Sequence, residues 1–461
     1  MQGDGRLVRL LDAQRLCAWH AGIVFSCFMA LFLDGMDVSA PSVTTSAILR
    51  SWGGSTGTLA MHLGDFGWSM NPMGLAFSAA NLGTLLGLLI FATVGDRFGR
   101  KWGLVGGVIL YSVPSCLVQW PVFCTPDAFI ALRLIAGLGV GGVMPNAVAL
   151  VVETAPSRRR AALVLVTLTG YAMGAILSGL LAAWVAATPR WTLLFVLPGI
   201  AGLVLVVLFV ARLPESLKFL AIKRPESAQF AKLCRRLFPG ESVAAMAQDA
   251  RSARPPAQAR RFGELFHGHL KLVTPILWLG YFAISIAFLS VLSWQTFLLE
   301  TLGVSGRLAS MSFSLASIGA VLVQLSLSRL VDRFGPLPAA FVATASAAGL
   351  LSLAVLHNSD SAAKLIAIIL AVGCGSVTFQ MYAMTSGLFY PTPIRGRGIG
   401  WAGGVGRVGA IAGPFIAGHF LAAGLPVHLV IYMMAVPYLI VVPACAALGF
   451  VYVRSRAASG A

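Results

Sequence analysis

Four charged side chains lie within stretches of sequence that are otherwise apolar: Asp34, Asp37, Arg133 and Arg407. A charge inside a membrane is costly, so such residues are expected to pair with one another, bind a ligand or move an ion. Asp34 and Asp37 are three residues apart and would share one face of a helix. A carboxylate beside an arginine can hold or release a proton as its surroundings change, which is the chemistry that proton coupling requires.

The depths of the four charges indicate which of them can meet. At a rise of 1.5 Å per residue, Asp34 and Asp37 lie roughly 5–9 Å from the middle of their segment, and Arg133 lies roughly 10 Å toward the same side. Opposite charges at similar depth should pair, so we predict that the aspartates face Arg133. The alternative is a static pair that only locks two helices. Arg407 lies nearer the middle, where it could bind an anionic ligand in bidentate fashion.

Other polar side chains in the apolar segments are weaker candidates for a ligand site, because a lone histidine or aromatic residue could equally be a packed core residue. Gln324 and Asn146 belong to this group as well. The predicted ligand-binding set is Arg407, Asp34, Asp37, Trp294, Gln295, Gln380, Tyr382 and His419.

The elements that position these residues are long apolar segments. Of the 461 residues, 58% are hydrophobic and 11% are charged, whereas a soluble domain has about 25% charged residues. Apolar runs of about 20 residues match the length of a helix that crosses a membrane, and backbone groups in lipid must be satisfied within the segment. We therefore predict an all-α membrane protein with twelve transmembrane helices. The predicted spans are roughly 20–43, 73–94, 103–123, 128–152, 161–187, 191–211, 272–299, 308–330, 337–357, 362–389, 399–423 and 427–453.

The basic residues are distributed unevenly between the two sides of the predicted bundle. One side carries most of them, and the other carries Arg50, Arg190, Arg307 and Lys364. Because cytoplasmic loops are enriched in Lys and Arg, we predict that both termini are cytoplasmic. The net charge of +17 is then mostly a topology signal. Binding to nucleic acid is not expected, because it would require a basic face on a soluble domain.

An internal repeat divides the chain into halves. The pentapeptide at 95–99 is echoed at 331–335, and the same shift of 236 residues carries Gly170 onto Gly406. Two related six-helix halves are a known plan for transporters. The predicted organisation is an N-terminal six-helix half at 1–211, a cytoplasmic central loop at 212–271 and a C-terminal six-helix half at 272–461. We interpret the central loop as a solvated, basic linker that lies against anionic lipid headgroups.

Charged residues at the ends of the spans predict a cytoplasmic gate. A glycine permits the tight turn after the second span, and acidic residues there could pair with nearby arginines in one conformation and separate in another. Simple anchoring of the loops by positive charge is the alternative. The predicted gate residues are Asp96, Arg97, Gly99, Arg100, Lys101, Glu153, Arg158, Asp332, Arg333 and Arg395.

The sequence carries no pattern typical of an enzyme. It has no zinc-spaced set of His and Cys residues and no phosphate-binding loop of the type that binds ATP. The seven cysteines are scattered without metal-ligand spacing. We therefore predict neither catalytic activity, nor a bound metal, nor a cofactor.

Several segments resemble the major facilitator superfamily across nearly the whole chain. The loop at 96–101 is similar to its signature after helix two, 133–137 to its helix-four motif, and 214–216 to a segment of sugar-porter-like branches. Within the superfamily the chain resembles the bacterial aromatic acid:proton symporters, on the segments 33–37, 141–146, 390–396 and 400–414.

The resemblance implies specific roles for the membrane charges. It assigns proton coupling to Asp34, Asp37 and Arg133, and it matches Glu153 and Arg407 to an acidic residue and an arginine of that family. It implies uptake of a benzoate- or hydroxybenzoate-type acid with protons. The expected partners are this small organic anion, protons and the lipid bilayer of a bacterial inner membrane, and the expected state is a monomer. Met36 stands where an aromatic residue is common, and Pro336 where a basic residue is usual.

Two alternatives remain open at the level of sequence. One is a transporter of another class, for a sugar, another metabolite or a drug, and possibly an exporter. The other is a membrane sensor that binds its ligand without transporting it.

Overall fold

The computed structural model describes residues 6–14, 16–53, 61–63, 68–186, 188, 190–252, 262–268, 270–391 and 394–459. The helices are α1 (Arg6–Ala13), α2 (Ala18–Ser51), α3 (Pro72–Phe98), α4 (Arg100–Leu117), α5 (Pro126–Thr154), α6 (Ser157–Val185), α7 (Leu193–Arg212), α8 (Leu217–Lys223), α9 (Ala228–Leu237), α10 (Val243–Ser252), α11 (Leu270–Thr301), α12 (Gly306–Phe334), α13 (Leu337–Val355), α14 (Ser361–Phe389), α15 (Arg395–Ala422), α16 (Val427–Ala435) and α17 (Tyr438–Ser459). Strands β1 (Met61–Leu63) and β2 (Trp68–Met70) form a short antiparallel hairpin.

Twelve membrane spans form the bundle, as predicted. Within the described part of the chain, eleven spans are long and apolar enough to cross a membrane, the last of them formed by α16 and α17 together. The twelfth is α4, whose first two residues, Arg100 and Lys101, lower its mean hydropathy. Large apolar side chains such as Phe25, Trp184 and Phe341 are 65%, 77% and 75% exposed, as expected of a surface that faces lipid. The chain is a multi-pass membrane protein.

Two of the predicted spans differ from the helices that form. The first continues to Ser51 rather than ending near residue 43, and α2 is therefore about 51 Å long. Its Pro41 lies within the helix without ending it. The last span breaks between α16 and α17 at Pro437, because proline has no backbone N–H to continue the helical hydrogen bonds.

The two halves repeat the same arrangement of helices. In the first half α3 packs on α5 and α2 on α6, and in the second half α12 packs on α14 and α11 on α15. Helices α3 and α12 each end one residue before a glycine with positive φ, Gly99 at 115° and Gly335 at 61°. The predicted repeat therefore recurs as two equivalent turns, each using the conformational freedom of glycine.

The halves meet at one end of the bundle. We call the end that carries α1, Gly99 and α8–α10 the basic end, and the opposite end the far end. At the far end Arg50 Nη1 lies 3.2 Å from Glu300 Oε2, Ser78 Oγ donates to the Ile411 carbonyl, and Ser314 Oγ donates to the Ile176 carbonyl. These contacts join α2, α3 and α6 of the first half to α11, α12 and α15 of the second.

The close approach of backbones reinforces this closure. A β-carbon on Gly74 would lie 3.0 Å from the Cα of Gly418, so α3 and α15 touch through glycines. Trp294 fills the adjacent space, where its Nε1 donates to the Pro414 carbonyl at 3.2 Å and its ring lies edge-on to Phe77. The structure is therefore closed at the far end.

The described part of the central segment up to residue 252 contains three helices. Helices α8, α9 and α10 enclose a small apolar cluster that includes Leu217, Phe230 and Cys234. Leu11 of α1 joins the same cluster, and Gln14 Nε2 donates to the Leu237 carbonyl at 3.1 Å. The linker interpretation missed this because a chain with many basic residues can still place apolar residues on one helix face.

Candidate functional site

A buried ion pair joins α2 to α5 inside the first half. Arg133 Nη1 lies 3.2 Å from Asp37 Oδ2, and the two side chains are 3% and 2% exposed. Ser115 of α4 completes the site, since its hydroxyl donates to Asp37 Oδ1 and accepts a hydrogen bond from Arg133 Nη2 at 3.0 Å. Three helices are therefore held together by one network of charge-assisted hydrogen bonds.

Aromatic rings enclose the guanidinium of Arg133. Its Cζ lies 5.6 Å from the centre of the Phe129 ring and 4.9 Å from that of Phe195. Phe129 precedes Arg133 by one helical turn on α5, so the helix itself positions this ring. A desolvated cation–π contact adds to the attraction of the carboxylate, and the combined site holds Arg133 firmly in the first half.

Asp34 is placed differently from Asp37, although both were predicted to face Arg133. Only Asp37 pairs with the arginine. Asp34 is 2% exposed, and its Oδ1 has no hydrogen-bond partner among the described residues. A buried oxygen without a partner is rare in proteins, and it marks Asp34 as a candidate for a functional role.

Arg407 lies on α15, in the second half, and is half-buried. Within the described part of the chain it makes no ion pair or hydrogen bond. Its charge nevertheless acts on Asp34 and Tyr171 of the first half and on Tyr281 of the second half. Arg407 and Asp34 therefore belong to opposite halves but lie near enough for their charges to interact.

The weaker candidates for the ligand site each have their own hydrogen-bond or ring contacts. Trp294 is part of the far-end closure, and Gln295 Nε2 donates to Ser312 Oγ at 2.8 Å, which ties α11 to α12. Gln380 bonds within its own helix, to Ser376. The hydroxyl of Tyr382 donates to the Val441 carbonyl at 3.3 Å. His419 lies near the far end of α15, where its ring is 5.9 Å from that of Phe420.

The predicted gate contains a cluster of ion pairs at the basic end. Arg100 Nη1 lies 2.6 Å from Asp96 Oδ1, and Arg100 Nε lies 3.1 Å from Glu153 Oε1. Arg100 thus links the turn after α3 to the end of α5. All three residues belong to the first half.

Glu215 is a member of this cluster that the gate prediction omitted. Its carboxylate accepts hydrogen bonds from the backbone N–H groups of Lys101 at 3.2 Å and Ser216 at 2.9 Å. Burial raises the pKa of the Glu215 carboxyl, and these hydrogen bonds partly offset the increase. A β-carbon on Gly99 would overlap the Glu215 carboxylate, so the glycine leaves the space that the carboxylate occupies. The segment 214–216, noted in the sequence, was the available signal.

The remaining gate candidates lie apart from this cluster. Arg97 and Arg158 are exposed, and it is Arg160 that forms an ion pair, at 2.8 Å, with Asp12. Arg395 Nε donates to the Tyr390 carbonyl at 3.2 Å. The side chains of Asp332 and Arg333, at the end of α12, lie outside the described part of the structure.

Two six-helix halves with buried charges at their boundary are the architecture of a secondary transporter. The chain belongs to the Major Facilitator Superfamily, which it matches over residues 27–387 and, in a second match, over residues 277–460.

Curated relatives span nearly the whole chain. The 4-hydroxybenzoate transporter PcaK of Acinetobacter baylyi is 29% identical over 461 residues, covering 97% of this chain and 95% of the relative. The gallate transporter of Pseudomonas putida is 28% identical, covering 93% and 91%. The 3-(3-hydroxy-phenyl)propionate transporter of Escherichia coli is 30% identical, covering 86% of each.

Solved structures share the fold. The xylose transporter XylE of E. coli in an inward-open conformation matches with a TM-score of 0.71 at 16% identity, covering 93% of this chain and 95% of that one. A bacterial homologue of the lysosomal transporter Spinster, in an inward-facing conformation, matches with a TM-score of 0.66 at 14% identity, covering 95% and 98%. At this level of identity the likeness concerns the fold alone.

Proposed function

We propose that this protein imports an aromatic carboxylate of the benzoate or hydroxybenzoate class together with protons, by alternating access. The observation that carries the proposal is the position of Arg407. It is a half-buried cation in the middle of α15, without a bonded anion among the described residues, at the boundary between the halves. A guanidinium in that position suits the planar carboxylate of a small acid.

The relatives favour the aromatic members of this substrate class. Three of them are a 4-hydroxybenzoate, a gallate and a 3-(3-hydroxy-phenyl)propionate transporter, and each of these substrates combines an aromatic ring with a carboxylate.

Asp34 and Asp37 are the proposed proton-coupling residues, together with Arg133. Asp37 is neutralised by Arg133 inside one half, while Asp34 has an unpartnered oxygen and interacts electrostatically with Arg407 of the other half. Protonation of Asp34 would remove its attraction to Arg407 and leave the anionic substrate as the only negative charge that attracts the guanidinium. Binding of proton and acid would thereby be coupled through one shared charge.

Alternating access requires the closure at the far end to exchange with a closure at the basic end. We propose that the basic end faces the cytoplasm, because it carries the predicted excess of Lys and Arg. The cluster of Asp96, Arg100, Glu153 and Glu215 would act as its gate, and the other predicted gate residues remain further candidates that lie apart from this cluster. In this reading the protein is a monomer in a bacterial inner membrane, with both termini cytoplasmic and with no cofactor.

Uptake into proteoliposomes tests the proposal. We expect labelled 4-hydroxybenzoate or benzoate to accumulate when the outside is acidic, and unlabelled aromatic acids to compete, whereas sugars and dicarboxylates should not. Asp34→Asn and Asp37→Asn should each abolish this accumulation, while Asp360→Asn, at an exposed position, should not affect it. Competition by sugars alone would support a different transporter, and ligand binding without flux would support a sensor. Normal accumulation in both aspartate variants would remove the coupling assignment.

A further inference from the structure

We propose that Tyr171, Tyr281 and Phe379 complete the substrate site around Arg407. In this arrangement the hydroxyls of the two tyrosines bind the substrate carboxylate beside the guanidinium, and the rings of Tyr281 and Phe379 contact the aromatic ring of the substrate. The inference rests on the proposed function and names the residues that would bind the carboxylate and the ring of its substrate.

Tyr281 packs against α15 at Gly406, the residue that precedes Arg407. A β-carbon on Gly406 would lie 3.0 Å from the Tyr281 ring, so the absence of a side chain at that position lets the ring lie against α15 one residue before the arginine. The ring also stacks on Tyr382, with centroids 6.0 Å apart and planes at 20°. The Tyr281 hydroxyl has no hydrogen-bond partner among the described residues, and it is therefore available to a ligand.

Phe379 extends this aromatic surface along α14. Its ring lies edge-on to Tyr281, at 5.5 Å and 65°, and it also contacts Phe288 at 5.5 Å. Phe379 itself is only half-buried. Aromatic rings prefer offset-stacked or edge-to-face contacts with one another, so the accessible part of Phe379 offers a substrate ring a surface of matching chemistry.

Tyr171 supplies the opposite wall from the first half. A β-carbon on Gly35 would overlap the Tyr171 backbone carbonyl, which places α6 against α2 beside Asp34. The side chain of Tyr171 is half-buried, and its hydroxyl has no partner within the described part of the chain. Both Asp34 and Arg407 act on it electrostatically. Tyr171 therefore belongs to the same polar boundary as these two charges.

Space for a ring exists on the same face of α15. Gly403 and Gly404 precede Arg407 by four and three residues, and so share its helix face. A β-carbon on either glycine would meet nothing within 4 Å. The helix therefore leaves room beside the guanidinium on the side toward the basic end, and a planar ring bound there would reach the aromatic surface of α11 and α14.

The binding affinities of three acids separate the two parts of this site. The probes are 4-hydroxybenzoate, benzoate and cyclohexanecarboxylate, measured by calorimetry on purified protein. Tyr281→Phe and Tyr171→Phe should each weaken the binding of all three acids by about five- to tenfold, because each removes one hydrogen bond to the shared carboxylate. Phe379→Leu should weaken benzoate and 4-hydroxybenzoate more than cyclohexanecarboxylate, because it removes only the aromatic surface.

Matched controls are available at lipid-facing positions. Tyr432 and Phe341 are 38% and 75% exposed, and Tyr432→Phe and Phe341→Leu should leave every affinity unchanged. Wild-type protein that binds aromatic acids, with affinities unaltered in all three site variants, would overturn this inference alone. Wild-type protein that binds none of the three acids would overturn the proposed function and this inference with it.

Discussion

The two halves of the bundle place their membrane arginines in different surroundings. In the first half Arg133 is 2% exposed, and it is paired with Asp37, bonded to Ser115 and enclosed by two aromatic rings. In the second half Arg407 is half-buried and has no bonded partner among the described residues. Arg133 is therefore bonded within its own half, whereas Arg407 lies at the boundary between the halves.

This difference separates two tasks that a coupled transporter must perform. A charge that is neutralised inside one half moves with that half as a rigid unit, and its main contribution is to hold α2, α4 and α5 in register. A charge at the boundary interacts with the opposite half or with a ligand, so its energy changes as the halves move. A charge of the second kind can bias a conformational equilibrium directly through differential binding, whereas the enclosed pair can act on it only through a change in the protonation of Asp37.

The largest effect should follow from breaking the enclosed pair. Arg133→Met leaves the Asp37 carboxylate buried without a counter-charge, and loss of one member of a buried pair costs about 3–5 kcal/mol of folding free energy. We expect a strongly lowered melting temperature in detergent, measured by thermal unfolding. The control is Arg190→Met, at an exposed arginine, which should unfold like the wild type.

A double variant refines this prediction. Replacing both partners, as in Asp37→Leu with Arg133→Met, removes the buried charges together and should recover most of the stability. It should still fail to accumulate substrate on a proton gradient. If Arg133→Met alone melts at the wild-type temperature, the enclosed pair does not hold the half together.

Arg407→Met should give the reverse pattern. No bonded carboxylate is left behind, so we expect little change in melting temperature. Affinity for the transported acid should fall by about ten- to a hundredfold, because a charge-assisted hydrogen-bonded contact is lost. Calorimetric titration measures the affinity, and Arg407→Lys should keep part of it as a point charge. A stability loss as large as that of Arg133→Met would mean that the two arginines have the same structural role.

The sequence alone was sufficient to predict the fold. Apolar runs and the repeat at an offset of 236 residues can both be identified in the sequence itself. The twelve spans and the two halves follow from them. The sequence could not predict which aspartate meets Arg133. Residues three apart share a helix face but point about 60° apart, and the rotation of α2 relative to α5 depends on packing. That rotation places the carboxylate of Asp37 against Arg133 and leaves Asp34 without a bond to the arginine.

Residues that lie far apart along the chain were harder to predict. Glu215 meets Lys101 across a sequence separation of 114 residues, and Ser115 joins the ion pair from a helix that has no charge at that depth. A serine in an apolar helix often hydrogen-bonds only to the backbone of its own helix. Its residue type therefore does not predict that it would join an ion pair between two other helices. The contacts of α1 with α8–α10 depend on tertiary folding in the same way.

The smallest effect should come from Ser115→Ala, which removes the one neutral member of the enclosed site. Asp37 and Arg133 would each lose a hydrogen bond, but their ion pair would remain. We therefore expect the free energy of unfolding to fall by about 1–3 kcal/mol rather than by the full cost of an unpaired charge. The matched control is Ser178→Ala, at a buried serine whose hydroxyl has no partner among the described residues, where the change should be within about 0.5 kcal/mol. Thermal unfolding of the two variants side by side measures the difference. Equal melting temperatures would show that the ion pair is held by its aromatic enclosure without the serine, and that α4 contributes only packing.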